Sequence, residues 1–105
     1  MEYRLTTFLA VCEKMNFTRA AEDLHITQPA VSQHIRLLEE EYGTKLFLHE
    51  GKRIRLTPAG QFFRDTVIRM QNDENVLHSK LTAFETGKQI FKLGATRTIG
   101  EFSLE

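Results

Sequence analysis

The spacing of apolar residues in the N-terminal part of the chain predicts three short helices. The first spans Tyr3 to Met15, where apolar residues lie three or four positions apart and would share one face. The second is expected from Arg19 to about Leu24, with Thr18 as its N-cap. Small residues at its centre predict close packing against a neighbour.

The third predicted helix begins beside a proline and ends at a glycine. Either Thr27 or Gln28 can cap it, and Pro29 suits its first turn, where no intrahelical N–H bond is needed. Gly43 is a natural C-terminal stop. The predicted buried face follows steps of four, three and four residues and comprises Val31, Ile35, Leu38 and Tyr42.

A two-stranded hairpin is predicted next. The extended runs Leu46–His49 and Arg53–Leu56 flank Glu50-Gly51-Lys52, whose glycine suits a tight turn. Because lysine and arginine occupy the turn and the start of the second run, the tip of this hairpin would be basic.

A helix of nearly thirty residues should follow the hairpin. We expect Thr57 to cap it, Pro58 to open it and Gly87 to follow its last residue, about Thr86. Apolar residues alternate at steps of four and three along it, with an interruption at Glu74. This seam comprises Phe63, Val67, Met70, Leu77, Leu81 and Phe84. Such a helix is too long for a core of about sixty residues, so the seam predicts a partner helix.

The last residues indicate the beginning of another domain. Ile90 to Gly94 has the composition of a strand, and an isolated strand is not stable by itself. We therefore expect the 105-residue chain to end just inside a second domain.

The composition of the chain limits the classes of function and the kinds of partner that it can have. The chain has 14 lysine and arginine residues and 14 aspartate and glutamate residues, so a nucleic-acid partner would have to be recognised by a local basic surface. Cys12 is the single cysteine, which suits a reducing compartment. No apolar run approaches the roughly 20 residues of a membrane span, and the N-terminus lacks a signal-peptide core. We expect a cytoplasmic protein without membrane contact.

Neither a metal site nor a catalytic site is expected. The histidines are scattered without ligand spacing, and they are His25, His34, His49 and His78. Cys12 lies on an apolar helix face, which predicts burial and not nucleophilic chemistry. No combination of nucleophile, base and orienting partner can be assembled from these residues.

Two short helices joined by His25-Ile26-Thr27 and followed by a basic hairpin are typical of a winged helix-turn-helix. In such a pair, the second helix enters the DNA major groove with its N-terminal residues. The amide, hydroxyl and methyl groups available there belong to Thr27, Gln28, Ala30, Ser32 and Gln33. Phosphate contacts are expected from helix N-termini and basic side chains, at Thr18, Arg19, Arg36, Lys52 and Arg53. The Arg55 side chain can point either toward the DNA or away from it.

The combined order of these pieces resembles the LysR-type transcriptional regulators. The resembling segments are FLAVCEKMNFTRAAEDLHITQPAVSQHIRLLEEEYGTKLF, the wing closed by RIRLTPAG, the long helix and the final strand. The resemblance implies a mainly α fold with three domains. These are a winged helix-turn-helix of three helices and a two-stranded wing at 1–58, a dimerisation linker helix at 59–88, and the start of an effector-binding domain at 89–105.

The resemblance also implies partners and contact residues. DNA contacts carry over to Thr27, Gln28, Pro29, Ser32 and Gln33 in the recognition helix and to Lys52 and Arg53 in the wing. The implied partners are double-stranded DNA and a second copy of the chain, with antiparallel linker helices and possible higher oligomers of the full-length protein. A small-molecule effector is expected for the full-length protein only, with no cofactor in this chain, and the implied location is the bacterial cytoplasm beside the nucleoid.

Two residues depart from the family pattern. His49 and Gln33 stand where that family commonly has arginine. The first affects a contact expected to anchor the wing, and the second implies a different base preference. The alternative function is a protein-interaction module, in which the winged helix is a scaffold and the long helix is the active surface.

Overall fold

The computed structural model describes residues 1–91, and helices dominate them. The elements in chain order are α1 (Tyr3–Lys14), α2 (Phe17–Leu24), α3 (Gln28–Tyr42), β1 (Phe47–Glu50), β2 (Arg53–Leu56) and α4 (Pro58–Phe91). The two strands pair antiparallel. This order confirms the predicted mainly α fold with a two-stranded wing. The chain divides into two units, the first ending at Gln71 and the second beginning at Asn72.

The connection between α1 and α2 differs from the prediction. The side chain of Asn16 accepts a hydrogen bond from the Arg19 N–H at 2.9 Å, so Asn16 is the N-cap and Thr18 lies inside the first turn of α2. The predicted cap at Thr18 is wrong because asparagine two residues earlier caps equally well. The first helix was predicted to include Met15 on its shared apolar face. In the structure α1 ends at Lys14, and Met15 is the exposed residue that follows it, in a left-handed conformation with φ of 49°.

α3 begins and ends at the predicted residues. The Thr27 hydroxyl accepts a hydrogen bond from the Ala30 N–H at 3.2 Å, which identifies Thr27 as the cap. Gly43 closes the helix with a φ of 65°, a conformation that glycine adopts without steric cost. The predicted buried face is confirmed except at Tyr42, which is 54% exposed because the last turn of α3 extends beyond the core.

The wing is a hairpin with a two-residue loop. Glu50 pairs with Arg53, so Gly51 and Lys52 form the turn, and the first strand starts one residue later than predicted. Gly51 has a φ of 64°, as the first central residue of a type II′ turn requires. The right-handed twist of the strands favours this turn.

Two acidic residues of α3 connect this helix to other elements of the first unit. The Glu39 carboxylate accepts hydrogen bonds from the Leu46 N–H at 2.8 Å and the Phe47 N–H at 3.3 Å, which attaches the first strand of the wing to α3. Glu41 pairs with Arg4 at 2.7 Å, which links the C-terminal end of α3 to α1. These carboxylates therefore have partners within the fold.

The start of α4 is fastened to the segment before the wing. The Thr57 hydroxyl accepts a hydrogen bond from the Gly60 N–H at 2.8 Å and donates one to the Lys45 carbonyl at 2.7 Å, which confirms the predicted cap. A Cβ atom on Gly60 would lie 2.2 Å from the Leu46 carbonyl oxygen. Glycine is therefore required at Gly60 for this close approach.

The core of the first unit joins all of its elements. Phe8 is fully buried, with its ring centroid 4.9 Å from that of Phe63 and 5.5 Å from that of Phe47. The buried apolar residues are Leu5, Phe8, Ala10, Val11, Ala20, Ala21, Val31, Ile35, Leu38, Leu46, Phe47, Leu56 and Val67.

The structure corrects the predicted seam of α4 at its N-terminal end. Val67 is 2% exposed, so it belongs to the core and cannot line a surface for a second chain. Phe63 is half-buried against the same core. The other four seam residues, Met70, Leu77, Leu81 and Phe84, are between 48% and 71% exposed.

The C-terminal end of α4 also lies beyond its predicted position. The helix continues through Gly87 to Phe91, so the predicted end at Thr86 is wrong, as is a strand at Ile90 and Phe91. A single glycine weakens a helix by about 1 kcal/mol and does not by itself end one. The rest of the predicted strand, up to Gly94, lies outside the described residues. Among residues 1–91, no helix is both long and apolar enough to cross a bilayer.

Candidate nucleic-acid interface

A groove of about 400 Å³ is lined by the α1–α2 connection, one side of α3 and the wing. It brings together five of the residues predicted to contact DNA, which are Thr18, Gln28, Ser32, Arg36 and Lys52. These residues come from segments that are distant in the sequence. Their meeting in one concave surface is a consequence of the way α2, α3 and the wing pack.

One face of α3 supplies the polar centre of this groove. Gln28, Ser32 and Arg36 are four residues apart, so they follow each other along one side of the helix. The Gln28 side-chain amide donates a hydrogen bond to the Ser32 hydroxyl at 2.9 Å. This bond orients the amide and leaves its carbonyl oxygen and a second N–H available to a ligand.

Other predicted contact residues surround the groove without lining it. Thr27 is exposed, and its hydroxyl is occupied as an acceptor by the cap of α3. Pro29 and Gln33 are exposed and Ala30 is half-buried near the same end of the helix. Arg19 is exposed and lines a neighbouring depression that it shares with Thr18.

The two faces of the wing carry different side chains. His49 pairs with Ile54, and both line the groove together with Lys52 of the turn. Arg53 and Arg55 alternate with Ile54, so they lie on the opposite face. There the Arg55 guanidinium pairs with the Glu50 carboxylate at 2.8 Å. Arg53 is therefore not part of the groove, although it is exposed at the tip.

Sequence reasoning missed three polar residues of the groove. Asn16, Lys45 and His49 line it, and none of them was among the predicted contact residues, although His49 was noted as a departure at the position of the wing's anchoring contact. The cap propensity of asparagine and the position of His49 two residues after the buried Phe47, on the same strand face, were available signals. No sequence pattern indicated Lys45, because its position depends on how the segment before the wing packs against α3.

The groove is basic although the net charge of the chain is zero. Arg36, Lys45 and Lys52 contribute positive charges, and Glu39 is the acidic residue among those lining it. Glu39 already accepts two backbone hydrogen bonds and lies 3.8 Å from the Lys45 ammonium. Its negative charge is thus offset locally, and the excess of cations suits a polyanionic ligand.

Cys12 stands apart from this surface. It is half-buried beside the core, and burial raises the pKa of its thiol to about 12. At neutral pH the thiol is therefore protonated and a poor nucleophile. Within residues 1–91, no group of three or more histidine, cysteine, aspartate or glutamate side chains is arranged to hold a metal ion.

The helix-turn-helix, the wing and their shared groove correspond to a known family. Residues 3–61 match the family described as "Bacterial regulatory helix-turn-helix protein, lysR family". This chain belongs to the LysR family. The match confirms the resemblance inferred from the sequence and the expectation that the chain is not an enzyme, because the family consists of transcriptional regulators.

Curated relatives of this LysR-family chain are regulators of greater length. An uncharacterised regulator of Bacillus subtilis, YxjO, is 54% identical over 59 residues, which are 56% of this chain and 20% of that protein. The regulator CatR of Pseudomonas putida is 49% identical over 76 residues, covering 69% of this chain and 26% of that protein. The chain thus spans about a fifth to a quarter of the length of these relatives.

A solved relative of this LysR-family chain was crystallised with DNA. It is the DNA-binding domain of BenM in complex with catB site 1 DNA. Its TM-score is 0.78 and its sequence identity 35%, with 83% of this chain and 95% of that chain covered. The similarity therefore extends over the winged helix-turn-helix and into α4.

Proposed function

We propose that this chain is the DNA-binding part of a LysR-type transcriptional regulator and that it binds double-stranded DNA as a homodimer. The observation that carries the proposal is the basic groove in which Gln28, Ser32 and Arg36 of α3 face Lys52 of the wing. A polar helix face beside a basic hairpin suits base edges in the major groove together with the flanking phosphates. The DNA complex of the similar BenM domain supports the same role.

Sequence recognition is assigned to the N-terminal end of α3. Gln28 can form a paired contact with adenine, Ser32 can contact a base or phosphate, and Ala30 can meet a thymine methyl group. Pro29 and Gln33 flank them on the exposed side. Thr18, Arg19, Arg36, Lys52 and Arg53 are assigned to phosphates, which orient the domain on the duplex.

The dimer is assigned to the exposed apolar residues of α4. Met70, Leu77, Leu81 and Phe84 are available for a second copy. A two-fold dimer would present its recognition helices to successive major grooves, so the target is an interrupted inverted repeat. The full-length protein would act in the bacterial cytoplasm and bind a small-molecule effector through a domain that follows α4.

The test is an electrophoretic shift of the 105-residue chain with random duplex at low salt, repeated over a salt series. We expect binding whose affinity falls steeply with salt, because counterions are released from the phosphates. Lys52→Ala should lower the slope of log K against log salt by roughly one unit, since one phosphate contact disappears.

The control is Lys80→Ala, which removes the same charge from an exposed position on α4. It should leave the slope unchanged. An equal slope for Lys52→Ala and the unsubstituted chain would remove Lys52 from the contact surface. A complete lack of binding at low salt would favour the protein-interaction module instead.

A further inference from the structure

Thr7 and His34 form a polar contact between α1 and α3. The Thr7 side chain belongs to the buried part of the first unit and is 3% exposed. Its hydroxyl oxygen lies 2.9 Å from the Nδ1 atom of the half-buried His34 imidazole. The Tyr3 ring packs edge-on against the same imidazole, with the two ring centroids 4.8 Å apart. Two residues of α1 therefore restrain the His34 side chain.

The second hydrogen bond of the Thr7 hydroxyl fixes the direction of its contact with His34. A hydroxyl has a single hydrogen, and that of Thr7 is donated to the Tyr3 carbonyl oxygen, 3.1 Å away and one turn earlier in α1. A carbonyl oxygen can only accept. Both contacts of the Thr7 hydroxyl are therefore made together only when His34 Nδ1 carries a hydrogen and donates it. In a neutral His34 this is the Nδ1–H tautomer.

The position of His34 in α3 gives this bond a consequence for the surface of the helix. Apolar side chains of α1 and α3, among them Phe8 and Ile35, are buried together in the core, but apolar attraction has no preferred direction. A hydrogen bond requires a set distance and angle between its donor and acceptor. His34 directly follows Gln33 and lies two residues after Ser32. A bond that fixes His34 against α1 therefore also fixes the rotation of these two side chains.

We propose that the Thr7–His34 hydrogen bond is a positioning contact that orients α3 for sequence reading, with His34 as the donor. The proposal rests on the proposed function, because it concerns how the same helix meets DNA. Neither residue has to touch DNA, since both act through the side chains that α3 presents. Losing the bond should weaken binding to a matched sequence more than binding to random DNA, because base contacts specify the sequence and phosphate contacts do not.

The first experiment measures the affinity of the 105-residue chain for two duplexes, one selected from a random pool by the unsubstituted chain and one random. Thr7→Val removes the hydroxyl with little change of shape, and His34→Leu removes the donor. Each should lower the ratio of the two affinities roughly three- to tenfold, the equivalent of one neutral hydrogen bond. His34→Asn should restore most of the ratio, because the asparagine amide nitrogen occupies the place of Nδ1 and donates.

Thr6→Val is the matched control for Thr7→Val. Thr6 precedes Thr7 in α1, its side chain is exposed, and its hydroxyl donates within α1 to the Glu2 carbonyl oxygen at 3.5 Å. The control makes the same chemical change and should leave the ratio of affinities unchanged. The double variant Thr7→Val/His34→Leu should lose no more than either single variant, because the two side chains act through one bond.

The second experiment observes the imidazole nitrogens of the unsubstituted chain by NMR at about pH 9, where histidine is ordinarily neutral. Long-range correlations between ring hydrogens and nitrogens distinguish the Nδ1–H tautomer from the Nε2–H tautomer. We expect Nδ1–H for His34, and in Thr7→Val the Nε2–H tautomer that free imidazoles favour. This measurement does not involve DNA, and a purely apolar packing role of His34 would not produce it.

The outcomes separate this inference from the function on which it rests. An Nε2–H tautomer of His34 in the unsubstituted chain would overturn the assigned donor. An unchanged ratio in Thr7→Val, an equal loss on both duplexes, or a His34→Asn variant no better than His34→Leu would overturn the positioning role and leave DNA binding intact. If Thr7→Val did not fold, the His34 variants and the NMR spectrum would decide. A lack of binding by the unsubstituted chain to any duplex at low salt would contradict the proposed function.

Discussion

At the scale of single residues, the Gln28–Ser32 hydrogen bond has a direct consequence for recognition. The bond fixes the Gln28 amide at the start of α3, where base edges are expected. Gln28→Ala should cost about 1–3 kcal/mol of binding free energy on a selected cognate site and little on random DNA. Parallel titrations of the two duplexes measure the difference.

Gln71→Ala provides the matched control for Gln28→Ala. Gln71 is an exposed glutamine on α4, so its truncation should leave both affinities unchanged. If Gln28→Ala lost the same amount on cognate and random duplex, Gln28 would be a phosphate contact and not a base contact.

Prediction at this scale succeeded where local chemistry decides the structure. Gly43 and Thr57 were assigned correctly, and the cap of α3 was narrowed to Thr27 or Gln28, because caps and left-handed positions depend on neighbours a few residues away. Thr18 was misassigned because Asn16 competed for the same role. The exposure of Tyr42 depended on where the core ends, which the periodicity of α3 does not encode.

At the scale of elements, Glu39 is the attachment between α3 and the wing. Its carboxylate is the acceptor for the N–H groups of Leu46 and Phe47, both of which are buried residues. Glu39→Ala should lower the free energy of unfolding by about 2–3 kcal/mol, because buried donors lose a charged acceptor. Urea denaturation of the variant and the unsubstituted chain measures this loss.

The neighbouring Glu40→Ala is the control, since Glu40 is an exposed residue of the same helix. It should change the free energy of unfolding by less than about 0.5 kcal/mol. Glu39, near the acidic end of α3, would then be a structural support for the wing. Equal losses for the two variants would mean that the hydrogen bonds of Glu39 contribute nothing specific.

At the scale of the whole molecule, the exposed apolar residues of α4 predict self-association. Leu77 and Leu81 are 56% and 57% exposed and lie one turn apart. The double variant Leu77→Glu/Leu81→Glu should abolish the dimer, because like charges would be buried between helices. Sedimentation equilibrium should show twice the mass of one chain before the substitutions and a single chain after them.

The double variant Asn75→Glu/Ser79→Glu adds the same charges at exposed positions with the same spacing, off the seam. It should remain dimeric. A chain that is monomeric without any substitution would contradict the assignment of α4 as the dimer surface. A dimer that persists in Leu77→Glu/Leu81→Glu would place that surface elsewhere.

The sequence by itself determined the three short helices, the hairpin and the start of the long helix, in this order. Apolar spacing, capping residues and turn residues act over a few positions. The helices, the hairpin and the polar character of the N-terminal end of α3 could therefore be predicted. Only the tertiary structure decided which residues share the groove. Asn16, Lys45 and His49 enter it and Arg53 does not, because these positions depend on how α2, α3 and the wing pack together. Packing likewise assigned Val67 to the core, since burial depends on distant contacts that periodicity cannot distinguish from a seam.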